Sequence, residues 1–129
     1  MKLVLADEAS ERVTDLWQDA AGVVAAAIIY VETRAAVAAA ARAQRLDRRG
    51  LDQARDELEA RWRQVDALEV DDELLRAAAD AAERFALRAL DAVHLAAAIA
   101  LDEPELVFAT WDEDLRRAAR ASGLAVAPA

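Results

Sequence analysis

Residues 87–98 read LRALDAVHLAAA, and the fold turns on how that stretch is taken. Leu90, Val93, Ala97 and Leu101 recur at the spacing of a helix with one apolar side, which predicts a core-facing helix here. Set into it are one carboxylate, Asp91, and His94, the only histidine of the chain. They lie one turn apart and so share a side of the helix. Two readings of the pair stand. In the first, Asp91 opens the helix, where a carboxylate suits the positive end of the dipole, and His94 is a hydrogen-bonded core residue. In the second, both belong to a site completed by acids elsewhere in the chain.

On its C-terminal side the helix is ended by Glu103-Pro104. Leu106–Ala109 (LVFA) is short, apolar and bounded by turn signals, and predicts a strand. TWDED follows at 110–114, opening a helix from about Asp114 to Ala121 that Gly123 terminates. LAV at 124–126 is a last strand. On the N-terminal side, Asp71 or Asp72 caps a helix running to about Phe85, with Leu74, Leu75, Ala78 and Ala82 inward. ALEV at 67–70 is a strand candidate. Before it, helical patterns at 27–46 and 51–65, broken at Arg48-Arg49-Gly50, make an αα-hairpin. Gly22–Ala26 (GVVAA) reads as a buried parallel strand, and Ser10 caps a short helix at 10–19 with Val13, Leu16 and Trp17 apolar. Lys2–Leu5, in the opening MKLVLADE, is either a short buried strand or the last turn of a helix whose start is absent. Strands alternating with helices imply a parallel sheet covered on both faces.

Composition narrows the function. The chain has 129 residues, enough for one domain with a real core. Sixteen Lys+Arg against 25 Asp+Glu leave a formal charge of −9, so there is no general electrostatic pull on nucleic acid. Nucleic-acid chemistry here needs a local basic strip or a metal ion. Arg42, Arg45, Arg48 and Arg49 at the hairpin tip are the best basic patch, although a solvated surface is the plainer use for them. The lack of cysteine excludes disulfides and thiolate metal sites and fits a reducing cytoplasm. No signal-peptide pattern opens the chain. The longest apolar stretch, residues 22–41, carries Glu32 and Arg34 at its middle. Each would cost roughly 2.5–3.5 kcal/mol at a bilayer centre, which argues against a membrane span.

In open parallel sheets, ligands bind beyond the carboxyl ends of the strands. Glu32, the sole acid of an Ala/Val tract, follows the Gly22–Ala26 strand, and Asp112 with Asp114 follows Leu106–Ala109. Asp91 opens a helix that must pack near them. Converging carboxylates cannot all ionise cheaply, and a divalent cation resolves the repulsion. With one histidine and no cysteine, hard Mg²⁺ or Mn²⁺ suits the set and zinc does not. Such an ion activates water and stabilises displacement at phosphorus.

The blocks VVAAAIIYVETRAAVAAAAR, LRALDAVHLAAAIAL and LVFATWDEDLRRAARASGLAV resemble the three core blocks of the PIN-domain family, above all its VapC-type ribonuclease toxins. The resemblance covers essentially the whole chain. It implies a three-layer α/β/α sandwich with a short parallel sheet, formed by one domain over 1–129. It also implies a Mg²⁺- or Mn²⁺-dependent endoribonuclease, a homodimer, and a cognate antitoxin partner. Glu32, Asp91 and Asp112 match the family's catalytic, metal-holding acids, with Asp114 an additional metal ligand. Thr110 matches a polar position beside Asp112, His94 matches a common structural position, and Ala26 stands where relatives often carry Ser.

One departure bears on mechanism. Members of the family open with a strand ending in an aspartate, written D-x-S-A-L-V-K-L, and Met1-Lys2-Leu3 aligns with the end of that motif. The resemblance therefore implies that the first strand and its metal-binding Asp are missing, with weakened metal affinity. Three accounts are open. The true start lies upstream, the gene is truncated, or residues 1–5 serve as the strand with Asp7 replacing the lost ligand. A non-catalytic interaction protein, using the apolar hairpin at 35–65 with Trp62 as its surface, is the competing reading.

Overall fold

A computed structural model describes residues 1–6 and 11–128. Strands β1 (Lys2–Leu5), β2 (Gly22–Ala26), β3 (Val65–Leu68), β4 (Leu106–Ala109) and β5 (Ala125–Ala127) form a parallel sheet in the order β3-β2-β1-β4-β5. Between them run α1 (Glu11–Asp19), α2 (Ile29–Arg42), α3 (Arg48–Trp62), α4 (Asp72–Phe85), α5 (Ala89–Leu101) and α6 (Glu113–Ala121).

Side-chain alternation along the strands divides the core into two layers. Leu3, Leu5, Val23 and Ala25 face one side, where they pack with Val13 of α1, Ile29 of α2 and the half-buried Trp62 of α3. Val4, Val24, Leu106 and Phe108 face the other, against Leu74 and Ala78 of α4, Val93 and Leu95 of α5, and Leu115 and Ala119 of α6. The α/β/α sandwich expected from the sequence is therefore present. α5 sits deepest, with residues 92–98 all buried. Its run of alanines lets the helix approach the sheet closely.

The first strand is not missing. Lys2–Leu5 forms β1 at the centre of the sheet, with Leu3 in register with Val23 on one side and Val107 on the other. A central strand must satisfy backbone groups on both edges. The apolar run Leu3-Val4-Leu5, at most 4% exposed, meets both that demand and the burial demand of two faces. Asp7, offered as a substitute ligand, and Ser10, offered as a cap, lie outside the described residues.

Two smaller expectations are corrected and one open choice is decided. The hairpin break falls at residues 43–47, with Gln44 at a positive φ of 59°, and not at Arg48-Arg49-Gly50. Asp47 is the reason, because its carboxylate accepts the Gly50 N–H at 2.7 Å and starts α3 at Arg48. The α4 cap resolves to Asp71, which accepts from the Leu74 N–H at 2.8 Å. Leu90 and Leu75, expected inward, are 44% and 50% exposed. α5 presents its small residues and Val93 to the sheet, and Leu90 lies on the outer side of its first turn.

Candidate active site

The carboxyl ends of β1, β2 and β4 lie side by side, Leu5 being in register with both Ala25 and Ala109. The residues leaving these strands and the start of α5 build the site. β4 is followed by Thr110, which is fully buried. Its hydroxyl accepts the Asp112 N–H at 3.2 Å, and its carbonyl accepts a 2.8 Å bond from the buried guanidinium of Arg116. Arg116 also donates to the Pro128 carbonyl, tying the ends of β4 and β5 together. Asp112 is the N-cap of α6, with Oδ1 accepting from the Leu115 N–H at 2.9 Å. Its other oxygen, Oδ2, is left to face the edge.

That oxygen meets Arg88. Nη2 of Arg88 donates to Asp112 Oδ2 at 3.2 Å, and Nε donates to Asp91 Oδ2 at 2.8 Å. One guanidinium thus bridges two of the acids singled out in the sequence. Asp91 is not the cap of α5. That position is held by Arg88, and Asp91 sits in the first turn with its side chain 15% exposed. The hydrogen bond that Arg88 donates to Asp91 raises the Arg88 pKa above its ordinary value, reinforced by the charges of Asp91, Asp112 and Asp114 against some desolvation. Asp114 pairs with Arg117 at 3.2 Å, both largely exposed.

Glu32 lies in the first turn of α2, which belongs to the opposite helical layer, yet it reaches α5. Nε2 of His94 donates to Glu32 Oε1 at 2.5 Å, across the carboxyl edge of the sheet. A carboxylate only accepts, so Nε2 is the donor of this bond. Nδ1 is buried without a hydrogen-bond partner among the described residues. Arg34 takes no part, pairing with Glu59 and Tyr30 instead.

Three of the four acids are therefore linked in order around the edge, with Asp114 outside the chain of contacts. Glu32 touches His94, His94 lies one turn from Asp91, and Arg88 joins Asp91 to Asp112. Among the described residues, no three His, Asp or Glu side chains stand close enough together to hold a metal ion. The donor chemistry nonetheless fits a hard divalent cation: carboxylate oxygens, no thiolate, and two of them already gathered on a single positive charge. Arg88 and Arg116 escaped the sequence reading. Arg88 stands three residues before Asp91, a spacing that pairs side chains on a helix, so its signal was there. Arg116 gave only its spacing from Glu113, a loose 3.9 Å pair, because its hydrogen-bond partners are backbone carbonyls.

Residues 1–121 match the family model described as PIN domain. The chain belongs to the PIN domain family. Ribonuclease VapC45 and ribonuclease VapC49 of two Mycobacterium tuberculosis strains are each 37% identical to it over 129 residues, all of this chain and 90% of theirs. Among solved structures, FitAcB from Neisseria gonorrhoeae superposes with a TM-score of 0.66 at 20% identity, covering 98% of this PIN domain and 96% of that chain. A FitAB complex bound to an IR36 DNA fragment gives 0.67 at 18% identity, covering 98% and 93%. These two likenesses speak to the fold. No helix of the described residues is long and apolar enough to cross a membrane.

Proposed function

We propose that this PIN domain is a Mg²⁺- or Mn²⁺-dependent endoribonuclease, the toxin of a toxin–antitoxin pair. The observation that carries the reading is the convergence of Asp91 and Asp112 on one positive charge at the carboxyl edge of the sheet. Relatives named ribonucleases, similar over the full chain, support it. In this reading Asp91 and Asp112 hold the cation, while Glu32 stays paired with His94 and Asp114 with Arg117. Bound there, the ion supplies positive charge at phosphorus and a water of lowered pKa.

The chain's own residues set the geometry. The α6 cap and the Thr110 hydroxyl fix Asp112 with one oxygen free of the helix. The buried His94 holds Glu32 at the edge. Arginines 42, 45, 48 and 49, all exposed at the hairpin tip, meet RNA phosphates and offset the acidic surface. An antitoxin is the protein partner in this reading, as the relatives named VapC ribonucleases suggest. A cytoplasmic homodimer completes the proposal.

Cleavage of structured RNA with Mn²⁺ tests it, comparing this chain with Asp91→Asn. The expected result is metal-dependent cleavage that falls by about two orders of magnitude in the variant. Equal activity in both removes Asp91 from the mechanism.

A further inference from the structure

Arg88 is oddly placed for a residue that only starts a helix. It is the N-cap of α5, yet its side chain makes no capping hydrogen bond. Ser, Thr, Asp and Asn are the residues that satisfy a helix start, and a cation there opposes the dipole. The guanidinium does not serve packing either, being 78% exposed. What it does is split its donors between two carboxylates from different elements, Asp91 on α5 and Asp112 ahead of α6. Without a positive charge between them, those oxygens would repel each other across the edge of the sheet.

We propose that Arg88 is the resident counterion of the site: its guanidinium holds the place between Asp91 and Asp112 that the divalent cation takes, and must leave for the ion to bind. The inference rests on the metal reading of the preceding subsection and adds a gate to it. The exposed side chain can swing to solvent without opening a cavity. The extended backbone at Arg88, φ −66° and ψ 154°, need not change. Asp112 stays aligned throughout, because it is fixed independently by its cap bond to Leu115. A planar fork suits this double contact in a way an ammonium does not, since lysine pairs as a point charge.

Mn²⁺ titration calorimetry on the full chain tests the gate, with Arg88→Gln, Arg88→Lys and Asp91→Asn. Exposed ion pairs are weak, which scales the effect to a Kd for Mn²⁺ about three- to tenfold tighter in Arg88→Gln. Arg88→Lys is expected between wild type and Arg88→Gln, and Asp91→Asn weaker than wild type. In parallel, the Arg88 Nε–H resonance moves to the position of a free arginine as Mg²⁺ saturates the wild-type chain. Equal Mn²⁺ affinity in wild type and Arg88→Gln overturns the gate and leaves the metal reading standing. An Arg88→Lys value equal to wild type, with Arg88→Gln tighter, also overturns it, because net charge and not occupancy would then explain the change. An Nε–H signal unmoved at saturating Mg²⁺ does the same. Absence of Mn²⁺ binding in every form overturns the metal reading itself, and the gate with it.

Discussion

Leu3→Ala is the sharpest probe of the scaffold, because it asks whether the first few residues are the middle of the sheet. Leu3 is fully buried, flanked by Val23 and Val107 in the neighbouring strands and packed in a cluster with Val13, Ala25 and Ile29. Truncating a buried leucine to alanine removes its transfer energy and leaves a cavity, together worth roughly 2–5 kcal/mol. With strands on both sides the backbone cannot collapse inward, so a loss of about 3 kcal/mol is expected. That is a large share of the ~5–15 kcal/mol that holds a domain together. In urea, with a slope of about 1–2 kcal/mol per molar, the midpoint should fall by about 2 M at unchanged slope. Val31→Ala, at a position 59% exposed on α2, is the control and should stay within about 0.5 kcal/mol of wild type. A Leu3→Ala midpoint indistinguishable from that control would refute the placement of β1. Residues 2–5 would then be an appendage, and the sheet would close without them.

Asp112 has a stability role separable from its chemistry. Asp112→Ala should lose about 1 kcal/mol through the missing α6 cap, while Asp112→Asn keeps a capping oxygen and should melt near wild type yet lose RNA cleavage. Identical urea curves for the two variants would show that the cap carries no weight. Ala86 closes α4 in the left-handed region at φ 54°, which is strained for a side chain with a Cβ. Ala86→Gly should therefore stabilise the chain by about 0.5 kcal/mol, and a lowered midpoint would contradict the assignment.

Much of this architecture could be read from residue patterns, and the failures have physical causes. β2 and β4 were legible to the residue, since each is a short apolar run between turn signals and both are buried on two faces. α4 was legible for its cap and its apolar stripe. Lys2–Leu5 was not, because four residues carry no periodicity that separates a strand from a helical turn. Only the register with two partner strands decides it. The hairpin break was misplaced because Arg-Arg-Gly looks like a stop. A capping Asp47 with an N–H at Gly50 instead makes it a start. At the site, the acids themselves stood out, each interrupting or bordering an apolar segment. Their partners did not. Glu32 and His94 are 62 residues apart, and nothing in either segment names the other. Arg88 was passed over because an arginine ahead of a helix reads as solvated surface, and only the fold brings Asp112 within its reach.

Where a divalent cation goes decides between a metal site and a permanent ion pair at this edge. Crystals of the full chain soaked in Mn²⁺ would locate it by anomalous scattering, independently of any assay of RNA. The expected peak lies between Asp91 and Asp112, with carboxylate oxygens at roughly 2.1 Å and the Arg88 side chain turned out to solvent. A map with Arg88 still bridging the two carboxylates, and manganese absent from the carboxyl edge of the sheet, would contradict it.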